Sequence, residues 1–153
     1  MTRLLIAVIV AAFVSACGPA APERAPADLR VAVISGLGDV VADSQGRTLY
    51  RFDLDSASPP ATNCAGACAT LWPPAAAGAA PPTTDGIDGG LAGVLVRPDG
   101  FRQLTLGGWP LYRYVNDTAP GQVNGQGVDG TWFVIAPSGV KVTGTPADGG
   151  SGY

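Results

Sequence analysis

Glycine and proline interrupt this chain so often that little room is left for long helices. Glycine (22) and proline (14) together make 36 of the 153 residues, and beyond residue 16 the longest stretch without either is the twelve residues 47–58. Proline breaks helices and glycine destabilises them, so this spacing argues against long helices. The apolar residues fall into short runs that predict strands at 30–34, 40–43, 48–53, 93–97, 101–106, 111–115, 131–136 and 140–143.

Turn signals separate several of these strands. The segments 44–46, 98–100 and 137–139 each end in glycine, which supplies the positive φ that tight hairpin turns need. Many short strands joined by local turns, with no alternating helices, predict an all-β, loop-rich domain. We expect antiparallel β-meanders that form a small sandwich or a barrel-like domain.

The chain also repeats itself. The segment 46–55, GRTLYRFDLD, returns 62 residues later as GWPLYRYVND at 108–117. The second segment keeps the glycine, the Leu-Tyr-Arg sequence, a second aromatic residue and the final aspartate. Duplication of a β-meander is the simplest account. We therefore expect a domain at 30–143 with two copies, at about 35–90 and 91–143.

The N-terminus has the pattern of a bacterial lipoprotein signal. A short basic start is followed by eleven apolar residues at 4–14 and by Ser15-Ala16-Cys17, a small-residue site that ends in cysteine. Eleven apolar residues are too few to cross about 30 Å of hydrocarbon as a permanent helix, but they suit a cleaved export signal. We expect residues 1–16 to be a signal peptide and Cys17 to be lipidated. An ordinary signal with an incidental cysteine is the alternative.

The segments that flank the predicted domain have little to bury. Residues 17–29 are rich in proline and alanine and predict a semi-extended tether, while residues 144–153 read as a flexible tail. Together with the lipid, this arrangement predicts a membrane-anchored lipoprotein that faces the extracytoplasmic side of the cell envelope.

Composition excludes several functional classes. The chain has no histidine and its only methionine is Met1, which removes histidine zinc sites, blue-copper centres and serine–histidine catalysis. The net charge of -3 is opposite to the positive charge with which proteins usually bind nucleic acid. We find no recognisable catalytic constellation, so we expect a protein that is not an enzyme and that uses no cofactor.

One motif occurs in both copies and gives the chain a family resemblance. It reads Tyr50-x-Phe52-x-x-Asp55 and Tyr112-x-Tyr114-x-x-Asp117, and the first copy is followed by Cys64-x-x-x-Cys68 and Trp72-Pro73-Pro74. With the lipoprotein signal, these features resemble the bacterial secreted-repeat lipoproteins named for the Yx(F/W/Y)xxD motif, over about residues 35–141. The resemblance implies an exported, lipid-anchored repeat protein of unestablished molecular function, and it brings no catalytic residues.

The motif aromatics have two possible roles. Alternation along a strand puts Tyr50 and Phe52 on one face and Arg51 on the other. We expect the aromatics to build the core, because each ring buries about 150–250 Å². The alternative is a groove for a ligand or partner peptide, lined by Trp109, Trp132 and the motif tyrosines, because these side chains combine an apolar body with a polar tip.

The motif aspartates also allow two interpretations. Asp55 and Asp117 end the motif where a strand meets a loop, and an aspartate there usually accepts backbone N–H groups and pins the turn. The weaker alternative is an irregular calcium site, since carboxylates are hard oxygen ligands. Its candidate ligands are Asp53, Asp55, Asp117 and Asp129. Otherwise we expect no metal.

Cys64 and Cys68 remain as a pair once Cys17 is assigned to lipid. In an exported domain such a pair is a disulfide by default. Closing so small a loop stabilises the fold by only about 2 kcal/mol, because it removes little conformational freedom from the unfolded chain. The bond therefore serves mainly to shape the turn that leads to Trp72. Thiol exchange is the alternative, although no neighbouring side chain supplies the cation that lowers a thiol pKa.

These features predict a non-catalytic module anchored by lipid in the bacterial envelope, which binds a partner protein, a wall polymer or a small ligand. The alternative is an extracytoplasmic accessory redox protein that uses the Cys64/Cys68 pair or exposed aromatics. A purely structural envelope protein is the third possibility.

Overall fold

The computed structural model describes residues 27–147, and its elements are short, as the spacing of glycine and proline predicts. Five residues make the longest helix in this range. The elements are β1 Leu29–Ile34, β2 Gly38–Asp43, β3 Tyr50–Phe52, β4 Ser56–Ala57, β5 Pro60–Ala61, α1 Ala67–Leu71, β6 Thr84–Asp85, β7 Ala92–Val96, β8 Arg102–Leu106, β9 Trp109–Pro110 and β10 Trp132–Val134, with 3-10 turns at Gly89–Leu91 and Val128–Gly130.

The strands form four small sheets. Their orders are β2-β1-β6, β10-β3, β4-β5 and β7-β8-β9. Every pairing between strands is antiparallel except that of β1 with β6. The predicted all-β class, with mainly antiparallel strands in two copies, is confirmed, and the sheets do not close into a barrel within residues 27–147.

The predicted turns are confirmed, and three of them share one hydrogen-bond pattern. In each, the glycine N–H donates to the carbonyl three residues earlier at 2.9 Å: Gly46 to Asp43, Gly100 to Arg97 and Gly139 to Ala136. The three glycines have φ between 80 and 83°, a region in which other residues are strained. Glycine is therefore required where each hairpin reverses direction.

Three segments differ from the sequence predictions. The predicted strands 111–115 and 140–143 form only isolated bridges, through Tyr112 and Lys141. The segment 73–90, which contains none of the predicted strands, pairs with the sheets: Pro74 bridges to Tyr112, and β6 lies beside β1. Proline has no N–H to donate, so the chain around Pro73 and Pro74 forms isolated bridges and not a regular strand.

Two clusters of buried side chains form the core. The first is aliphatic and the second is mainly aromatic. The aliphatic cluster contains Leu29, Val41, Leu49, Ala75, Ile87, Leu104, Leu106, Leu111 and Ile135. The aromatic cluster contains Val40, Tyr50, Cys64, Trp72, Tyr112, Trp132 and Val134. Both clusters draw residues from both copies, so neither copy encloses a core of its own.

Several predictions concern residues outside the described range. They are the predicted signal peptide at 1–16, the predicted lipid attachment at Cys17 and residues 17–26 of the predicted tether at 17–29. At the other end, the predicted tail enters the description only at residues 144–147, where the Ala147 N–H donates to the Ser35 carbonyl at 3.0 Å. Within residues 27–147 we find no helix that is long and apolar enough to cross a membrane.

Candidate functional site

The two copies meet at their motif tyrosines. The Tyr50 N–H donates to the Tyr112 carbonyl and the Tyr112 N–H donates to the Tyr50 carbonyl, both at 2.9 Å. This reciprocal exchange is the hydrogen-bonded pair of an antiparallel ladder. Because the two partners occupy equivalent positions in the repeat, the copies are related locally by a twofold rotation about this pair.

Each motif tyrosine binds the motif aspartate of the other copy. Tyr50 Oη donates to Asp117 Oδ2, and Tyr112 Oη donates to Asp55 Oδ2, both at 2.5 Å. Both tyrosines are 0% exposed and both aspartates are buried. A hydroxyl that donates to a carboxylate makes a short, charge-assisted bond of this length. The tyrosine and aspartate of the repeated motif thus form a reciprocal clamp between the copies.

The second oxygen of each aspartate pins a loop. Asp55 Oδ1 accepts the Asn63 N–H at 2.7 Å, and Asp117 Oδ1 accepts the Asn124 N–H at 2.9 Å. The Asn124 side chain donates back to the Asn116 carbonyl at 3.0 Å, and the Asn63 side chain donates to the carbonyl just before Asp55. The predicted role of these aspartates in holding turns is confirmed, and each also serves the clamp.

Four aromatic rings stack beside the clamp. In order they are Tyr114, Trp72, Trp132 and Phe52, with centroids separated by 4.2, 3.9 and 4.2 Å and interplanar angles of 24, 1 and 12°. The clamp tyrosines meet this stack edge-on. Tyr50 lies 5.3 Å from Trp72, and Tyr112 lies 5.2 Å from Trp132, centroid to centroid. The prediction that the motif aromatics build the core is confirmed.

Trp109 and Trp132 do not line one open aromatic groove. Trp132 is 3% exposed and lies inside the stack, where no ligand reaches its faces. Trp109 is half-buried, and the guanidinium carbon of Arg51 lies 3.3 Å from its ring centroid. A cation over an indole face is a favourable contact in itself, and Arg51 already occupies one face of the Trp109 ring.

The four aspartates proposed as calcium ligands do not form a cluster. Asp53 is paired with Arg51 and Lys141, while Asp55 and Asp117 are engaged by the clamp. Asp129 is exposed at a turn with φ 53°. Within residues 27–147, no three histidine, cysteine, aspartate or glutamate side chains are placed to share a metal ion.

The predicted disulfide joins Cys64 and Cys68, whose Cα atoms are 5.2 Å apart. Cys68 lies in α1, and its carbonyl accepts the Trp72 N–H at 2.8 Å at the end of that helix. The bond therefore holds the short turn that delivers Trp72 to the stack, as the sequence predicts. Cys64 is 0% exposed, so a thiol reagent has no direct access to its sulfur.

Arg97 is the buried residue that sequence reasoning missed. Its guanidinium donates to Gln103 Oε1 at 2.8 Å and to the Cys64 carbonyl at 2.6 Å, and Gln103 in turn donates to the Leu111 carbonyl at 2.8 Å. These bonds tie the β7–β8 hairpin to the disulfide loop. No local signal marks this arginine, because it precedes a Pro-Asp-Gly turn of the kind that usually lies at the surface.

Gly125 is a second missed residue, and close packing explains it. A Cβ at this position would lie 2.7 Å from the Trp72 ring and 2.9 Å from the Tyr50 ring. Its N–H donates to Tyr50 Oη at 3.3 Å. In the sequence, Gly125 follows Asn124 as Cys64 follows Asn63. This equivalence of the two positions can be recognised only after the clamp is known.

Burial shifts the ionisation of the clamp. Desolvation raises the pKa of Tyr50 and of Tyr112 far above the usual range, and the hydrogen bonds to Asp117 and Asp55 raise them further. Desolvation also raises the pKa of Asp55, against the opposing effects of the bonds it accepts and the charge of Arg97. The contribution of Asp55 to stability is thus complete below its ordinary pKa and is lost as pH rises through the raised value.

We expect Asp117→Ala to lower the free energy of unfolding by about 3 kcal/mol, because it leaves the buried Tyr50 hydroxyl and the Asn124 N–H without their acceptor. Urea unfolding measures the loss. The matched control is Asp39→Ala, which removes an exposed aspartate of β2 and should change stability by no more than about 0.5 kcal/mol. Combined with Tyr50→Phe, Asp117→Ala should show a coupling above about 1 kcal/mol, and additive losses would contradict the clamp.

Comparison with known proteins agrees with this internal symmetry. A family model described as a secreted repeat of unknown function matches residues 31–76 and 93–136. The two matches contain one motif each, with Tyr50 in the first and Tyr112 in the second. No curated protein and no solved structure matches the chain. The chain therefore belongs to the family of secreted repeats of unknown function and carries two copies of the repeat.

Proposed function

We propose that this protein is a lipid-anchored module of the bacterial envelope, which holds its repeat domain outside the membrane to bind a partner protein, a wall polymer or a small ligand. The observation that carries the proposal is the segment Ser15-Ala16-Cys17, which follows an apolar run of eleven residues. A cysteine in this place is the position at which lipid is added to exported lipoproteins. Membership of a family of secreted repeats supports export.

The distance between Cys17 and the folded domain suits an anchor. Strand β1 begins at Leu29, which leaves eleven residues between the cysteine and the domain. An extended proline-rich chain of eleven residues would reach about 34 Å. Each buried methylene contributes about 0.8 kcal/mol to membrane binding, so two acyl chains suffice for stable attachment.

A non-catalytic role is supported by how the motif side chains are used. The hydroxyls of Tyr50 and Tyr112 and the carboxylates of Asp55 and Asp117 are buried and bonded to one another. Groups engaged in this way are poorly available to a substrate. Recognition of a partner would therefore use the outer surface of the domain, with the clamp as its internal support.

We expect Cys17→Ser to abolish lipid attachment and to move the protein from the membrane fraction to the soluble exported fraction. Labelling cells with an alkyne fatty acid and following the label on the purified protein measures attachment, and fractionation measures location. The matched control is the double variant Cys64→Ala/Cys68→Ala, which removes the other two cysteines and should keep the label. Label retained by Cys17→Ser, or membrane retention without any label, would contradict the proposal.

A redox role for the cysteine pair is less well supported. Cys64 is fully buried, and the Arg97 guanidinium donates to its carbonyl. Thiol exchange proceeds by attack on an accessible disulfide sulfur, and here only the half-buried Cys68 approaches that condition. The stacked aromatic rings are the observation that favours a redox role of another kind.

A further inference from the structure

The four-ring stack connects the surface of the domain to its centre. Tyr114 and Phe52 at the two ends are half-buried, while Trp72 and Trp132 between them are buried. Neighbouring centroids are no more than 4.2 Å apart and the planes are within 24° of parallel. Stacked π-systems in van der Waals contact couple electronically, so an electron vacancy on one indole is shared or passed readily to the next.

The two ends of the stack are chemically unequal. Tyrosine and tryptophan lose one electron far more easily than phenylalanine does, so oxidation enters at Tyr114 and the Phe52 end is inert. The Tyr114 hydroxyl accepts a hydrogen bond from Asn116 Nδ2 at 3.0 Å. An amide cannot take up the phenolic proton, so oxidation of Tyr114 by loss of an electron and that proton gains no help from Asn116.

The clamp tyrosines differ from Tyr114 in this respect. Tyr50 and Tyr112 lie edge-on to Trp72 and Trp132, and their hydroxyls already donate to the carboxylates of Asp117 and Asp55 at 2.5 Å. A phenol that loses an electron becomes a strong acid, and its proton needs only to move along an existing hydrogen bond. Burial, which raises the pKa of Asp55, makes that carboxylate a better proton acceptor.

We propose that the stack and the clamp form a relay that carries one-electron oxidation from the Tyr114 end to the buried Tyr50 and Tyr112. The co-reactants are a small oxidising radical or metal complex, which takes the electron, and a reductant of the quinol class, which restores it. This activity does not depend on the proposed lipid anchor, because every group in it lies within the described domain.

The electron and proton balance is simple. The oxidant removes one electron from the stack at the Tyr114–Trp72 end and is reduced, leaving an indole radical cation. A clamp tyrosine gives one of its own electrons to the indole and passes its phenolic proton to the bonded aspartate, giving a neutral tyrosyl radical and a protonated carboxyl. The quinol then gives one electron to the phenoxyl radical and one proton to water, becoming a semiquinone, and the aspartate returns its proton to the phenolate oxygen.

The test uses the purified full chain with tris(bipyridine)ruthenium(III), generated by a laser flash, as the oxidant. Transient absorption and electron paramagnetic resonance distinguish tryptophan radicals from tyrosyl radicals. We expect a tryptophan radical whose decay matches the rise of a tyrosyl radical, a slower rise in heavy water because the phenolic proton moves, and recovery on addition of hydroquinone.

Two variants locate the final radical. Tyr50→Phe/Tyr112→Phe keeps the edge-on rings and removes both hydroxyls, and it should lose the tyrosyl signal while the tryptophan radical persists. The matched control Tyr153→Phe changes the tyrosine that belongs to neither the stack nor the clamp, and it should retain the tyrosyl signal. Survival of the tyrosyl signal in the double variant, or its loss in Tyr153→Phe, would overturn the proposal.

The wild-type measurement decides the question even if the double variant fails to fold. A tryptophan radical that decays with no tyrosyl radical, or a tyrosyl radical that forms at the same rate in light and heavy water, would contradict the relay. Neither outcome bears on the anchor, which is tested by fatty-acid labelling of Cys17.

Discussion

Trp72→Ala should lower the free energy of unfolding by about 4–5 kcal/mol, the upper part of the range for truncating a buried tryptophan. Trp72 is 2% exposed and contacts three aromatic rings: Trp132 and Tyr114 by stacking and Tyr50 edge-on. Each aromatic pair contributes about 0.5–1.5 kcal/mol beyond its buried area. Removing the indole thus opens a cavity at the centre of the aromatic cluster, and urea unfolding of the purified protein measures the cost.

The matched control is Trp109→Ala. Trp109 is half-buried at the edge of the aliphatic cluster, and its main polar contact is the Arg51 guanidinium. Loss of that cation–π contact and of partial burial should cost about 2 kcal/mol. Equal losses in the two variants, or a loss below about 2 kcal/mol for Trp72→Ala, would contradict the central place of Trp72 in the core.

Alkaline pH should unfold the protein through its two clamp tyrosines. Their pKa values in the folded state lie far above the usual value of about 10, mainly because they are buried and also because each donates to a carboxylate. Above pH 10 the unfolded chain releases these protons and the folded chain keeps them. The protonated tyrosines therefore contribute their full stabilisation below about pH 10. Above pH 10, each tyrosine lowers the free energy of unfolding by about 1.4 kcal/mol per pH unit.

Two measurements check this expectation. Denaturant unfolding at a series of alkaline pH values gives the slope of stability against pH, and ultraviolet absorbance reports phenolate formation by the clamp tyrosines, which should accompany cooperative unfolding. Tyr112→Phe removes one titrating group and should lower the slope by about 1.4 kcal/mol per pH unit. A slope unchanged by Tyr112→Phe, or phenolate from Tyr50 and Tyr112 in the folded state near pH 10, would refute the assignment.

The parts of the fold that were predicted well depend on local signals. Glycine at positions 46, 100 and 139 must adopt positive φ, and each of the three predicted turns is present. Strands β1, β2, β7 and β8 lie where alternating or continuous apolar residues predict them. Residues 73–90 were predicted poorly, because their pairing with β1 and with Tyr112 is made by segments distant in the sequence.

In the candidate site, too, the local contacts were predictable and the long-range contacts were not. That Asp55 and Asp117 hold loops was predictable, because the acceptors and donors are only seven or eight residues apart. The tyrosine partner of each aspartate was not, because Tyr50 and Asp117 are 67 residues apart and Tyr112 and Asp55 are 57 apart. The internal repeat showed that the two motifs are equivalent, but repetition alone does not say that equivalent residues bind across copies.

The sequence by itself therefore determined the duplication, the short strands, the turns and the cysteine pair, since each depends on backbone freedom, periodicity or nearby residues. Only the tertiary structure decided that the copies exchange their tyrosine–aspartate bonds and that Trp72 and Trp132 stack at 3.9 Å. The physical reason is that the aromatic cluster takes its rings from both copies, which lie far apart in the sequence. Each must bury them against the other, and the buried hydroxyls must then find their acceptors there.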